Sequence, residues 1–272
     1  LQITDLKVWV TMPENSSRSF VFFHVETDEG ITGIGEATSS GGGGSLVVGH
    51  MLQTLHNTSV TSDFRDSLLG EDPLNIEKIW HKLYRRFTGG GGHGGFVTTL
   101  LSGIDIALWD IKGKVYNQPV YELLGGPLWD RIPLYTHVVP HSPKAAVDHA
   151  KSLLKNGYTA MKTDPFWPEM ADQHRRYMSG TISQSGAAKA IETVAAIREC
   201  IGPDVELLID AHGNFNVPTA INMANKLDPY EITWFEEPVQ PDSKDALRQV
   251  KESVGVPICV GERLYTRWDF VP

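Results

Sequence analysis

Apolar and polar residues alternate through Ile3 to Val10 and Ser19 to Thr27, and again in Gly30-Ile31-Thr32-Gly33-Ile34-Gly35-Glu36. A period of two marks strands buried on one face, and Asp28-Glu29-Gly30 supplies a hairpin signal between the second and third segments. The period then lengthens. Ile76, Ile79, Trp80, Leu83 and Phe87 share one face of a helix over 76–87, and Ile104, Ala107, Leu108 and Ile111 share one face of a second over 100–115. Strands followed by helices predict an α+β domain over residues 1–125.

From residue 126 to 272 strand and helix patterns alternate. Strands are predicted at Ile132 to Val138, Thr159 to Thr163, Val205 to Asp210, Ile232 to Glu236 and Val256 to Glu262, with helices at Ala145 to Asn156, Ala187 to Cys200, Val217 to Leu227 and Ser243 to Val254. Repeated βα units imply a parallel sheet, and successive strands ending in acids at one end favour a barrel over an open sheet. The expected fold class is α/β, a (β/α) TIM-type barrel behind an α+β domain. A closed barrel has eight strands and usually about 250 residues. With five strands counted, the barrel is expected to be incomplete in this chain.

The acids concerned are Asp210, Glu236 and Glu262, at intervals of 26 residues, each closing a short apolar run. One strand, one helix and two short loops occupy about that length, so the three side chains are expected at the same end of adjacent strands. Three converging oxygen ligands suit a hard divalent cation, and Mg²⁺ suits them better than Zn²⁺ because no Cys or His completes the set. Side chains two apart on a strand share a face. His212 is therefore expected beside Asp210, Lys162 beside Asp164, and Glu237 pointing away from Glu236.

Composition narrows the class. Hydrophobic residues make up 41% and charged residues 21%, enough for a buried core. The net charge of −9, with no basic stripe, argues against a nucleic-acid partner. No apolar run reaches membrane-spanning length and no signal-peptide pattern opens the chain, so a cytoplasmic location and no membrane partner are expected. Cys200 and Cys259, each in an apolar context, are read as reduced thiols.

Ser102-Gly103-Ile104-Asp105-Ile106-Ala107-Leu108-Trp109-Asp110-Ile111-Lys112-Gly113-Lys114, with Pro119 to Gly126 after it, resembles the helix and link that lead into the barrel of the enolase superfamily. Gly30 to Ala37 resembles its amino-terminal hairpin, and Trp234-Phe235-Glu236-Glu237-Pro238 and Gly261-Glu262 resemble two of its metal-ligand strands. Together these motifs resemble the mandelate-racemase-like branch. The resemblance implies a capping domain over a barrel, one Mg²⁺ that binds a substrate carboxylate and stabilises an enediolate, and assembly into homo-oligomers.

Asp210-Ala211-His212-Gly213-Asn214 is similar to the acid-sugar dehydratases of that branch, those for galactonate, gluconate and mannonate, in which this His protonates a departing hydroxyl. The alternative is a histidine that only hydrogen-bonds a neighbour at the barrel mouth. Racemases of the branch carry Lys-x-Lys on the second strand, the second lysine acting as a base; here Met161-Lys162-Thr163-Asp164 has Asp164 in that place. A carboxylate beside Mg²⁺ is a weak base, so the resemblance implies a base elsewhere, a His paired with an Asp on later strands. Lys162 is placed to neutralise the substrate carboxylate, or else pairs with Asp164 or Glu206. The expected function is Mg²⁺-dependent dehydration of an aldonate-type sugar acid to a 2-keto-3-deoxy acid. His212 and Lys162 are the catalytic candidates, and Lys162, Asp164 and Asn214 the substrate contacts. The alternatives are a racemase or epimerase of a 2-hydroxy acid, and a non-catalytic ligand-binding relative.

Gly41 to Gly44 and Gly89 to Gly95 lack the spaced glycines, Lys and Ser/Thr of a phosphate loop. They read as flexible loops, the first as a lid, with His93 on a solvated loop. The polar stretch Pro168 to Ser185, with Arg175, Arg176 and Tyr177, either contacts the far end of a sugar acid or is a surface insertion.

Overall fold

The structure, a computed structural model, describes residues 1–14, 19–37, 65–88, 95–167 and 179–271. The glycine runs 41–44 and 89–92, His93, and Arg175, Arg176 and Tyr177 in the polar stretch lie outside the described residues. The chain divides into two compact units, Leu1–Asp130 with Leu264–Val271, and Arg131–Arg263. The division falls a few residues past the expected one.

In the first unit β1 (Ile3–Thr11), β2 (Phe20–Thr27) and β3 (Thr32–Glu36) form an antiparallel sheet in the order β1-β2-β3. The alternating pattern buries Val21, Phe23 and Val25 in one core with residues of α1 (Ile76–Thr88) and α2 (Phe96–Tyr116). Ile104, Ala107, Leu108 and Ile111 all lie in that core. The glycines of β3 have a packing reason. A Cβ on Gly33 would lie 2.0 Å from the Ala107 carbonyl oxygen, and one on Gly35 1.7 Å from that of Gly103, so the strand rests directly on the backbone of α2. In the same unit Trp80 stacks on Tyr84 at 4.8 Å, and Tyr84 meets Trp268 at 5.4 Å. The short helix α3 (Val120–Leu123) follows.

The second unit holds β4 (Thr136–His137), β5 (Ala160–Thr163), β6 (Glu206–Asp210), β7 (Trp234–Glu236) and β8 (Ile258–Cys259), all parallel and in sequential order. Between them run α4 (Pro143–Lys155), α5 (Gln184–Ile201), α6 (Val217–Leu227) and α7 (Lys244–Ser253). Each of these helices starts at a side-chain cap: Ser142, Ser183, Asn216 and Ser243 accept the N–H of Ala145, Gly186, Thr219 and Ala246. Such caps satisfy amide donors that have no partner in a helical first turn, which is why α4 and α5 begin two or three residues before the apolar pattern does. Met161, Leu207, Ile209 and Phe235 face the helices in one core with Ala150, Ala190, Val194, Ala220 and Met223. Among the described residues no helix is long and apolar enough to cross a membrane.

Candidate active site

Parallel pairing sets His137 opposite Lys162, Lys162 opposite Leu208, Leu208 opposite Trp234 and Asp210 opposite Glu236. Opposed residues share a face of the sheet, as do residues two apart on a strand. Lys162, Asp210, Trp234 and Glu236 therefore line the face turned away from the helices, and Asp210 and Glu236 stand level at its edge.

Lys162 sits between the two carboxylates, its Nζ 2.9 Å from Asp210 Oδ2 and 2.9 Å from Glu236 Oε1. It pairs with neither Asp164 nor Glu206 in the described ion pairs. Burial works against its charge, but the contacts with Glu236 and Asp210 outweigh that and raise its pKa above the ordinary lysine value. Its ammonium also lies 5.5 Å over the ring of Tyr135, a position that favours a cation. Trp234, two residues before Glu236 on the same face, donates its indole N–H to Glu236 Oε2 at 3.0 Å. That role was readable from the period of two and was not among the expected ones. Burial and the nearby Lys162 charge hold His137 below the ordinary histidine range.

His212 reaches the same place by another route than the expected strand geometry. β6 ends at Asp210, and His212 lies in a turn with φ of 49°. Its N–H donates to Asp210 Oδ1 at 2.9 Å, and its imidazole Nδ1 lies 2.8 Å from Asp164 Oδ2 and Nε2 3.5 Å from Asp210 Oδ2. The hydrogen bond with Asp164 raises the His212 pKa against the effect of burial, and the charges of Asp210 and Asp164 act the same way. Asp164 is itself fixed, since its Oδ1 accepts the N–H groups of Phe166 and Trp167, each at 3.0 Å. An anchored carboxylate facing Nδ1 leaves Nε2 as the nitrogen that exchanges a proton with anything bound at this face. Asn214, expected at the substrate, is 2% exposed and donates its amide to the Ala211 carbonyl at 2.7 Å, so its side chain braces the turn.

Glu262 stands apart. The residue of β8 level with Glu236 is Cys259, where the strand ends, so equal spacing along the chain does not become equal height in the sheet. Glu262 is exposed in the following turn, its Oε1 3.6 Å from Nε of Arg263. Glu237, just past the end of β7 with φ of 44°, is 2% exposed and accepts the Gly261 N–H at 3.4 Å. Burial raises its pKa. Among the described residues no three His, Cys, Asp or Glu side chains lie close enough together to hold a metal ion. The chemistry of Asp210 and Glu236 nevertheless suits a hard cation. Asp210 Oδ2 is buried with the Lys162 ammonium at 2.9 Å as its ion-pair partner, so a positive charge already stands between the two carboxylates.

Residues 6–125 match the mandelate racemase / muconate lactonizing enzyme N-terminal domain, and residues 145–272 match the enolase C-terminal domain-like family. The chain belongs to the mandelate-racemase-like branch of the enolase superfamily. It has that superfamily's fold, an amino-terminal cap and a barrel domain. A candidate dehydratase from Zymomonas mobilis is 30% identical with a TM-score of 0.88, over 100% of this chain and 70% of that one. A candidate dehydratase from Mesorhizobium loti is 32% identical with a TM-score of 0.85, over 99% and 68%. A protein from Labrenzia alexandrii described as a candidate mandelate racemase/muconate lactonizing enzyme is 30% identical with a TM-score of 0.84, over 99% and 67%. This family membership supports an enzyme of dehydratase or racemase type.

Proposed function

We propose that this family member is a hydro-lyase that removes water from an aldonate-type sugar acid to give a 2-keto-3-deoxy acid, with Mg²⁺ as cofactor. Asp210, Glu236 and Glu262 would hold the ion, Glu262 from the turn after β8. When bound, the ion supplies Lewis acidity that makes the hydrogen α to the substrate carboxylate easier to remove. Lys162, which keeps its charge beside Asp210 and Glu236 and would yield their oxygens to the ion, offsets negative charge that grows on the substrate carboxylate as that hydrogen leaves. His212 in its imidazolium form gives the Nε2 proton to the departing 3-hydroxyl, so that water and not hydroxide leaves. The enol that results ketonises. Asp164 keeps Nδ1 protonated throughout, and a group other than Asp164 and His212 takes the α-proton.

The observation that carries this reading is the Asp164 to His212 contact of 2.8 Å. It supports the reading because Asp164, which stands where the racemases of the branch carry a second basic lysine, orients His212 as an acid there would need. Incubation of the protein and Mg²⁺ with a panel of aldonic and aldaric acids, read as 2-keto-acid formation, is the test. Turnover is expected with at least one aldonate and lost in excess EDTA. Turnover undiminished by EDTA overturns the metal assignment. Exchange of the α-hydrogen with solvent deuterium, without water loss, on every acid of the panel makes the protein a racemase or epimerase.

A further inference from the structure

The turn that presents His212 needs support. His212 and Gly213 both lie in the left-handed region, with φ of 49° and 68°, and a residue with a side chain is strained there. Part of the support comes from the main chain: Ala211 N–H donates to the Glu236 carbonyl at 3.0 Å, Gly213 N–H to that of Glu237 at 2.6 Å, and Asn214 N–H to that of Ala211 at 3.0 Å. The carbonyl of His212 itself is held by a side chain, accepting Nη2–H of Arg263 at 2.8 Å.

The guanidinium is set tightly against this turn. A Cβ on Gly213 would lie 2.2 Å from Arg263 Nη1, so a side chain there would push the guanidinium from its place, while the φ of 68° itself favours glycine. Nη1 is buried without a hydrogen bond, 3.7 Å from Glu237 Oε2, and Nε is 3.6 Å from Glu262 Oε1. A planar cation with fixed donor directions thus joins the His212 peptide to the buried Glu237 and to the turn after β8.

We propose that Arg263 is a positioning residue that fixes the His212 peptide so that the imidazole stays on Asp164 with Nε2 toward the substrate face. His212 is then held through its ring by Asp164 at Nδ1, and through its peptide by Asp210 at the N–H and by Arg263 at the carbonyl. Without Arg263 the His212 carbonyl has no side-chain donor, and the strained peptide is freer to turn toward right-handed or extended backbone and carry Nε2 away. The catalytic consequence rests on the reading of His212 as the acid; the structural one does not.

Two measurements separate these. In protein labelled with ¹³C-histidine, the His212 Cε1–H resonance is assigned by its loss in H212N. R263A is expected to shift or broaden that resonance while the resonances of His24 and His81 in the first unit stay in place. With galactonate, gluconate and mannonate as probes, the ratio of dehydration to α-hydrogen exchange is expected to fall at least about tenfold in R263A, in the direction taken by H212N, because general acid catalysis typically contributes about 10²–10⁴-fold. R263M, which keeps an apolar stem and removes every donor, decides the same points if R263A does not fold, and R263K is expected to recover part of the ratio. An unmoved His212 resonance in the donor-free variant overturns the proposal, as does an unaltered ratio where H212N lowers it. If the wild-type protein dehydrates none of the probes, the catalytic reading fails while the resonance still tests Arg263.

Discussion

Asp164 Oδ2 lies 2.8 Å from His212 Nδ1, while Oδ1 of the same carboxylate accepts two backbone N–H groups. One oxygen is anchored to the chain and the other orients the imidazole. The arrangement is like the carboxylate–histidine pairs that hold a ring in one tautomer elsewhere, here with the carboxylate on the loop after β5 and the histidine on the loop after β6.

Asp164→Asn separates the two oxygens. An asparagine can still accept from Phe166 and Trp167 through its carbonyl, but its amide then presents N–H to His212 Nδ1 and favours the tautomer with the proton on Nε2 and no positive charge. Dehydration is expected to fall by about 10²-fold or more, with helix content and thermal stability close to wild type. Steady-state kinetics on the aldonate found active, beside circular dichroism, checks this; a kcat within threefold of wild type removes Asp164 from the acid assembly.

Gly35→Ala tests the close approach of β3 to α2. Its Cβ would lie 1.7 Å from the Gly103 carbonyl oxygen, and both groups are backbone. Strand and helix must separate, at a cost of about 1–3 kcal/mol as in other overpacked cores. Gly30→Ala is the control. Gly30 has φ of 77° with nothing within 4 Å of the added carbon, so only conformational strain, on the order of 1 kcal/mol, is expected. Urea denaturation of both variants gives the comparison, and a G35A midpoint at or above that of G30A contradicts the packing argument.

Much of this was legible in the sequence, for identifiable reasons. Period two located β1 to β3, period 3.6 located α1 and α2, and the alternation of the two located the parallel sheet. The helix starts were also available, in Ser142, Ser183, Asn216 and Ser243, though for α4 and α5 the apolar pattern alone begins later. Register was not legible. The spacing of Asp210, Glu236 and Glu262 counts residues, whereas height in a sheet depends on how strands slide past each other, and that puts Cys259 and not Glu262 level with Glu236. For the same reason the side taken by Lys162 could be read but not its partners, Asp210 and Glu236. Arg263 carries no local signal at all, because its role depends on a turn some 50 residues earlier in the chain.

The pH dependence of stability has a local source in the first unit. Glu71 accepts hydrogen bonds from Lys78 and Lys82, each at 2.8 Å, and these hold its carboxyl below the ordinary value of 4.5. A group with a depressed folded pKa contributes stability above its unfolded pKa and loses it as pH falls through the folded one. Glu71→Gln is therefore expected to lower Tm at neutral pH, with the difference from wild type shrinking as pH falls below 4.5 and through the depressed folded pKa. A difference in Tm that persists undiminished in acid shows that the pair acts by packing and not by charge.

Trp234→Phe tests the support of Glu236. The indole N–H donates to Oε2 at 3.0 Å while Oε1 faces Lys162 at 2.9 Å, so the two oxygens are held by different groups and the carboxylate plane is fixed. Phenylalanine keeps much of the ring and removes the donor. Donors to a ligating carboxylate are typically worth about 10- to 100-fold in metal affinity, and a loss of that size is expected in calorimetric titration with Mg²⁺. The same variant leaves Lys162 as the remaining partner of Glu236, so the ammonium competes more strongly for the carboxylate. Replacing Lys162 by Met in the W234F background should then recover part of the Mg²⁺ affinity, since the competing charge is gone. Equal affinity in W234F and wild type shows that Glu236 is oriented without the indole, and failure of K162M to recover affinity shows that the ammonium and the ion do not share the space between Asp210 and Glu236.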